Sequence, residues 1–425
     1  MHKKGRRALE GVRILDFTWV VAGPVATRIL ADQGAQVIKV ERRDTLDLGT
    51  RRGGFSGNLH RGKESTVVNM TDPRGIEIAQ QLVAVSDVVI DNFSARVMRN
   101  WGLDYENLKK IKPDVIAVSM SGFGHTGPQK DYVSYGPTLQ ALSGYTLQMR
   151  HPGKEPAGWG YSYADMTGGY SGALAVLMAL WDRKRTGQGQ FVDLSQFEAV
   201  SSLIGPGMLD ILNNNRPSEP IGNRSQEAPA APHGVYRCAG EDRWCAITVF
   251  TETEWQKLCQ VLGRPTWTQE TDFATLADRL KHQDALDRHF EDWTRQQTAE
   301  DVMSRLQEVG IAAGVVANGE DLDQDSQLQA RGYWARMQAS EGQVELDKMD
   351  GMDMMEGMDI VLDGPPLKLS QTPGYVAAPG PLLGEHTDSV LSQLLDYSAE
   401  QIAQLKEDRV IASHAEIHAE RAERK

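Results

Sequence analysis

Cysteine is scarce in this chain of 425 residues: there are three, Cys238, Cys245 and Cys259. So few, so scattered, exclude a disulfide framework, and without a CxxC spacing they argue against zinc. Positive charge is in deficit. Forty-five Lys and Arg stand against 58 Asp and Glu, a net charge of −13. That balance argues against a nucleic-acid or anionic-membrane partner, and an anionic ligand needs a local basic pocket. No long apolar run follows the basic start Met1-His2-Lys3-Lys4-Gly5-Arg6-Arg7. Neither a signal peptide nor a membrane span is expected, which implies a cytoplasmic protein. The GxGxxG fingerprint is missing too. The turn after the first strand reads Thr18-Trp19-Val20-Val21-Ala22-Gly23-Pro24, which argues against nicotinamide dinucleotide binding. His414 and His418 have helical i,i+4 spacing but no third ligand and no HExxH context, so no metal is expected.

What is present is ordinary globular composition, 40% hydrophobic and 24% charged, in a chain long enough for two domains. Val12-Arg13-Ile14-Leu15-Asp16-Phe17 reads as a buried strand. Gly23-Pro24 opens a helix over roughly 25–33, and Gln36-Val37-Ile38-Lys39-Val40-Glu41 is a second strand, completing a βαβ unit. The theme repeats at 87–91 and 114–119. Strands alternating with helices predict an α/β fold with a doubly wound parallel sheet. We divide the chain into a large domain over 8–212, a Pro-rich linker over 213–232 and a small α+β domain over 233–340. A linker or insertion follows over 341–370, and 371–425 returns to the large domain. The Met- and Asp-rich run from Lys348 to Met358 reads as a solvated insertion.

Asp165 stands out. Tyr163-Ala164-Asp165-Met166-Thr167-Gly168-Gly169-Tyr170 leads into an apolar run that predicts a long helix over 168–185. Two readings of Asp165 stand side by side. It is a helix N-cap, or it is a carboxylate nucleophile whose approach the glycines leave open. Arg42 and Arg43, at the end of the second strand, lie where such sheets bind phosphates. Trp19, Tyr135, Tyr145, Trp159, Tyr161 and Tyr163 fall in segments that should border Asp165. Arg51, Arg52 and Arg61 are candidates for a second substrate carboxylate.

Several pieces coincide in order and spacing: Leu15-Asp16-Phe17-Thr18, Ala22-Gly23-Pro24, Val37-Ile38-Lys39-Val40-Glu41-Arg42, Asn92-Phe93, Ser121-Gly122-Phe123-Gly124, Asp165, Thr186-Gly187-Gln188-Gly189-Gln190 and Pro381-Leu382-Leu383-Gly384-Glu385-His386-Thr387. Together they resemble the family III CoA-transferases, the formyl-CoA transferase and carnitine CoA-transferase group, over about residues 9–405. The resemblance implies a Rossmann-like large domain with a small α+β domain and an interlocked-ring dimer. That dimer is a homodimer or a heteromer with a paralogous subunit. The resemblance also implies Asp165 as the catalytic carboxylate, and a CoA site at Trp19, Val20, Val21, Ala22, Arg42, Val68, Asn92 and Phe93. Tyr135, Trp159 and Tyr161 would line the substrate pocket. CoA thioesters are then cosubstrates, and no permanent cofactor is implied. The aromatic segments suggest a bulky acceptor acid, such as an arylsuccinate with succinyl-CoA as donor. Val21 replaces a Gln, and Gly136 a Glu, of some relatives. Two alternatives share the fold: an α-methylacyl-CoA racemase, whose His position falls on Tyr135, and a non-catalytic subunit paired with an active paralogue.

Overall fold

The computed structural model describes residues 5–44, 54–158, 160–216, 220–225, 228–338 and 359–423. The predicted strands form, as does a short strand expected at 191–194, and one that was not expected, Lys63–Val68, joins them. β1 (Arg13–Asp16), β2 (Gln36–Glu41), β3 (Lys63–Val68), β4 (Val88–Asp91), β5 (Ile116–Ser119) and β6 (Phe191–Asp193) pair in parallel in the order β3-β2-β1-β4-β5-β6. A two-residue strand, Ile411–Ala412, adds antiparallel to the outer edge of β3. The strand order reverses between β1 and β4, so their carboxyl ends border the crevice where doubly wound sheets bind ligands.

Alternate residues of these strands feed two cores, because successive side chains point to opposite faces. Leu15, Ile38 and Val68 pack on one face with Ile78 and Leu82. Ile14, Val37, Val88, Ile116 and Val118 pack on the other with Ala22, Ala26, Leu30, Ala173 and Val176. That second face is covered by the helix Ala22–Asp32 and the long helix Tyr163–Thr186. Both begin earlier than the sequence pattern suggested. Pro24 falls in the first turn of its helix, where a missing N–H breaks no intrahelical bond.

The chain divides into two compact units. One comprises the described residues of Met1–Thr146, Gly158–Asn215 and Gln329–Lys425; the other comprises those of Leu147–Ala157 and Arg216–Leu328. Leu147–Ala157 and Arg216–Pro232, the latter read from sequence as linker, group with the second unit for visible reasons. Arg224 pairs with Asp284 and Asp287, His151 packs on Gly222, and Ala231 is buried in that unit's core. There, strands His233–Arg237, Trp244–Thr248 and Ala312–Val315 form an antiparallel sheet. Trp255, Leu258, Phe290, Val302 and Leu306 pack its core. Among the described residues no helix is long and apolar enough to cross a membrane.

Candidate active site

Asp165 is not the N-cap that its sequence position suggested. The long helix starts at Tyr163, and Ser162 caps it, its Oγ accepting from the Asp165 N–H at 3.5 Å. Asp165 is therefore the third residue of the helix, the position whose acid normally completes a capping box. Among the described residues the reciprocal bond, from the Ser162 N–H to the Asp165 carboxylate, is not made. The carboxylate lies against Gly136, the first residue of the helix Gly136–Leu142. A Cβ on Gly136 would overlap both the Asp165 carboxylate and Ser162 Oγ, so only glycine fits. Asp165 is 8% exposed. Burial raises its carboxyl above the usual range, and hydrogen bonding to Ser162 partly offsets this.

The neighbouring amides are occupied. The Ala164 N–H donates to Gln140 Oε1 at 3.3 Å and the Met166 N–H to the Ser162 carbonyl at 3.3 Å. With the Asp165 N–H bonded to Ser162, none of these three is available to an oxyanion. Glycines downstream of Asp165 serve packing rather than approach. A Cβ on Gly169 would overlap Val25, and one on Gly172 would press on Met120 and Ala26, so these positions let the two helices close together.

The residues assigned to CoA by resemblance come together in part, at the crevice between β1 and β4. The Trp19 N–H donates to Asn92 Oδ1 and Asn92 Nδ2 to the Trp19 carbonyl, both at 2.9 Å. The Trp19 and Phe93 rings lie 6.3 Å apart. Val20 sits at φ 62°, a left-handed conformation that costs a β-branched residue about 1–3 kcal/mol. Among the described residues none accepts from the backbone N–H groups of Val20, Val21, Ala22 or Gly23. Unbonded amides at a helix N-terminus suit an anion; here Val20 and Val21 stand outermost, while Ala22 is fully buried and Gly23 lies under the Thr18 side chain. Val20, Val21 and Met166 belong to one apolar cluster with Val25 and Leu59, which places this turn near the Asp165 end of the long helix.

Beneath the Asn92-Phe93 pair lies Asp91, whose carboxylate accepts from the Phe93 N–H at 3.0 Å and from Ser119 Oγ at 3.2 Å. Burial pushes its carboxyl up to about 7, against those two hydrogen bonds. Ser119 Oγ also contacts His125 Nε2 at 2.7 Å, which ties His125 into this structural network.

Other candidates fall elsewhere. Arg42 is at the exposed end of β2, bidentate to Asp44 at 2.9 and 3.1 Å. Arg43 is committed to Glu420 at 2.6 Å, so both arginines at this strand end have a carboxylate partner. Val68 is fully buried in the core and offers a ligand no side-chain surface. Arg61 does not face a second substrate carboxylate. It is buried and bound to Asp32 at 2.7 Å and Asp363 at 2.9 Å. Tyr135 directly precedes Gly136 and is half exposed. Tyr161 meets Tyr163 edge-on, and Tyr163 lies 5.6 Å from Tyr145. Trp159, Arg51, Arg52 and the run Lys348–Met358 lie outside the described residues.

Sequence reasoning missed Ser162, Gly136 and the buried lysines Lys39 and Lys63. Ser162 was signalled by its Ser-x-x-Asp spacing. Lys39 was signalled by its place between apolar residues in a strand buried on both faces. Gly136 carried no local signal, because its need for glycine arises from a helix distant in sequence.

The profile of CoA-transferase family III matches residues 9–387. The succinyl-CoA–D-citramalate CoA-transferase of Chloroflexus aurantiacus is 30% identical to this chain, covering 95% of it and 98% of that protein. The succinyl-CoA–L-malate CoA-transferase beta subunit of the same organism is 30% identical over 95% of this chain and 98% of its own. A CaiB/BaiF family protein from Brucella suis has a similar structure. Its TM-score is 0.80 at 28% identity, with 92% of this chain and 100% of that one covered.

Proposed function

The chain belongs to CoA-transferase family III, and from that premise we infer that it moves CoA from succinyl-CoA to a second dicarboxylic acid through a covalent intermediate on Asp165. The observation that carries this reading is the Asp165 carboxylate itself. It is buried, left out of the capping box its position allows, and held against Gly136, where any side chain would overlap it.

The chemistry balances without any further reactant. One Asp165 oxygen attacks the thioester carbonyl, the C–S bond breaks, and CoA leaves as thiolate from a mixed anhydride. The thiolate attacks the aspartyl carbonyl, succinate departs, and an aspartyl-CoA thioester remains. The acceptor carboxylate attacks that thioester, giving a second anhydride and free thiolate. The thiolate then takes the acceptor acyl group and restores Asp165. Dividing the exchange into acyl transfers lowers each barrier. Burial suits the nucleophile, because a poorly hydrated carboxylate has less solvent to shed. The CoA phosphates are received at the Trp19–Pro24 turn, where the Val20 and Val21 amides have no acceptor among the described residues, with Trp19 and Phe93 beside it. A racemase needs a base opposite Asp165. The sequence position assigned to that base holds Tyr135, and His125 is engaged with Ser119, which favours the transferase.

The acceptor carries an aromatic or other bulky apolar group. Half-exposed Tyr161 and its neighbours Tyr163 and Tyr145, on the approach to Ser162, supply apolar walls with polar tips. A second copy of the chain, or a paralogue, covers the apolar face of the long helix. There Tyr170, Leu174, Leu177, Met178 and Trp181 recur at helical spacing and lie exposed.

The test combines trapping with a substrate panel. Borohydride added with succinyl-CoA should modify wild-type Asp165, and an aromatic dicarboxylate should give a higher kcat/KM than oxalate, carnitine or malate. No modification at Asp165 during turnover overturns the covalent route. A preference for malate leaves that route standing and overturns the aromatic acceptor.

A further inference from the structure

Under the Trp19–Pro24 turn lies a cluster of charged side chains to which the mechanism assigns no role. Asp16, Lys39, Lys63 and Glu41 are all buried on the sheet face that the helix Ala22–Asp32 covers. Strand register puts them there. Asp16 pairs with Lys39 across β1 and β2, and Lys39 with Ser65 across β2 and β3, so the three side chains form a row. Lys63 and Glu41 share that face two residues along their strands.

Their hydrogen bonds converge on the two ends of the turn. Lys39 Nζ donates to the Thr18 carbonyl, and Asp16 Oδ1 accepts from the Thr18 N–H at 2.8 Å and from Thr18 Oγ1. At the other end Lys63 Nζ donates to the Pro24 carbonyl at 3.1 Å and to Thr27 Oγ1 at 2.7 Å. Thr27 Oγ1 in turn donates to Asp16 Oδ2 at 2.7 Å, which Lys63 approaches at 3.3 Å. Ser65 Oγ donates to Glu41. Between the two pinned ends stand strained Val20 and the four amides that have no acceptor.

We propose that Asp16, Lys39, Lys63 and Thr27 are positioning residues for CoA: they hold the Trp19–Pro24 turn in the strained shape that aims its amides at the CoA phosphates. Stability alone is a poor reason for such a cluster, since buried ion pairs seldom outperform apolar residues of the same volume. A strained backbone, by contrast, persists only where its surroundings over-determine it. Asp16 and Lys39 bond the main chain at Thr18, and Lys63 and Thr27 bond it at Pro24 and Gly23, so the contacts fall on the two sides of the strained residue. The pull on Lys63 is consistent with its setting. Burial lowers its ammonium to about 8 against the attraction of Asp16, whereas for Asp16 burial is outweighed by Lys63, Lys39 and the hydrogen bonds from Thr18 and Thr27 together, which hold its carboxyl below the usual range.

The proposal rests on the reading that this turn receives CoA, and one experiment separates the two. Hydrogen–deuterium exchange of the full-length protein, with and without coenzyme A, is followed at Val20–Gly23 alongside calorimetric affinity for coenzyme A. In the wild type CoA should slow exchange there; absence of protection overturns the CoA reading itself. Thr27→Val, which removes one hydroxyl and keeps the shape, should speed exchange of these amides in the free protein. It should also weaken CoA binding about 10-fold, with kcat at saturating thioester nearly unchanged. Lys39→Met should weaken CoA binding about 100-fold. Arg279→Lys, at the buried guanidinium that pairs with Glu252 in the other unit, calibrates a loss of stability that does not come from the turn. Protection by CoA in the wild type, with Thr27→Val matching the wild type in exchange and affinity, overturns the positioning role. So does a loss of affinity no greater than that of Arg279→Lys at equal loss of Tm.

Discussion

Two helix starts in this molecule are built from the same parts and put to different ends. In the second unit, Thr275 accepts from the Asp278 N–H at 3.2 Å, and the Asp278 carboxylate returns to the Thr275 N–H at 3.2 Å and to its hydroxyl. The box is closed and exposed, and the hydrogen bond from Thr275 leads the effects that hold Asp278 below the ordinary carboxylate range. In the first unit, Ser162 and Asp165 have the same spacing and the same hydroxyl-to-amide bond, yet the carboxylate stays out of the box and burial raises it. Half-boxes also occur at Ser195–Glu198 and Thr298–Asp301, but there the acid is exposed. An open box is therefore not the distinction. An open box whose acid is buried against another helix is.

The sharpest way to break this contrast is at the acids. Asp165→Asn should fold with unchanged or slightly higher stability at neutral pH and lose about three orders of magnitude or more in kcat. The sign follows from linkage. A carboxyl raised in the folded state contributes stability that is full below its unfolded pKa and lost as pH rises through its folded pKa, so removing the charge does no harm at pH 7. By the same shift, the acid limb of the wild-type rate profile should lie above the range of an ordinary aspartate. A variant with near-wild-type turnover, or one that unfolds, would return Asp165 to a structural role.

Gly136→Ala comes next. The added methyl has to displace the Asp165 carboxylate or Ser162, and a misplacement of about 1 Å can cost roughly 10²-fold. Kinetics should show most of that loss in kcat. An alanine tolerated without effect would mean that the carboxylate is not held against this helix.

The smallest effect is expected at the closed box. Thr275→Ala should cost about 1 kcal/mol of stability in denaturant unfolding and leave kcat untouched. If it reduced kcat as Gly136→Ala does, the separation of a chemical helix start from a structural one would collapse.

Much of the architecture was legible because it depends on local pattern. β1, β2, β4, β5 and β6 could be read from apolar runs and punctuation. β3 could not, because Lys63-Glu64-Ser65-Thr66 looks like a solvated segment until the charges above it are known. Leu147–Ala157 could not be assigned to the second unit, since only contacts with residues seventy and more positions later place it there. At the site, the sequence picked out Asp165 but mistook its place in the helix, because Ser162 competes for the cap. Arg43 and Arg61 looked available as isolated letters, whereas Glu420, Asp32 and Asp363 occupy them from distant parts of the chain.

The strand Ile411–Ala412 has a consequence in the order of synthesis. All six parallel strands have been made by Asp193 and the second unit by Leu328, but the outer edge of β3 waits for residues near the far end of the chain. Thr387 joins the same closure, accepting from the Val67 N–H at 3.0 Å and donating to the Ala412 carbonyl at 2.8 Å. Until those residues emerge, a nascent chain exposes an unpaired β-edge, the kind of surface to which other strands add. A chaperone that shields that edge during the interval, or a fast, pause-free passage through residues 329–412, would therefore govern how much of this protein reaches its folded form.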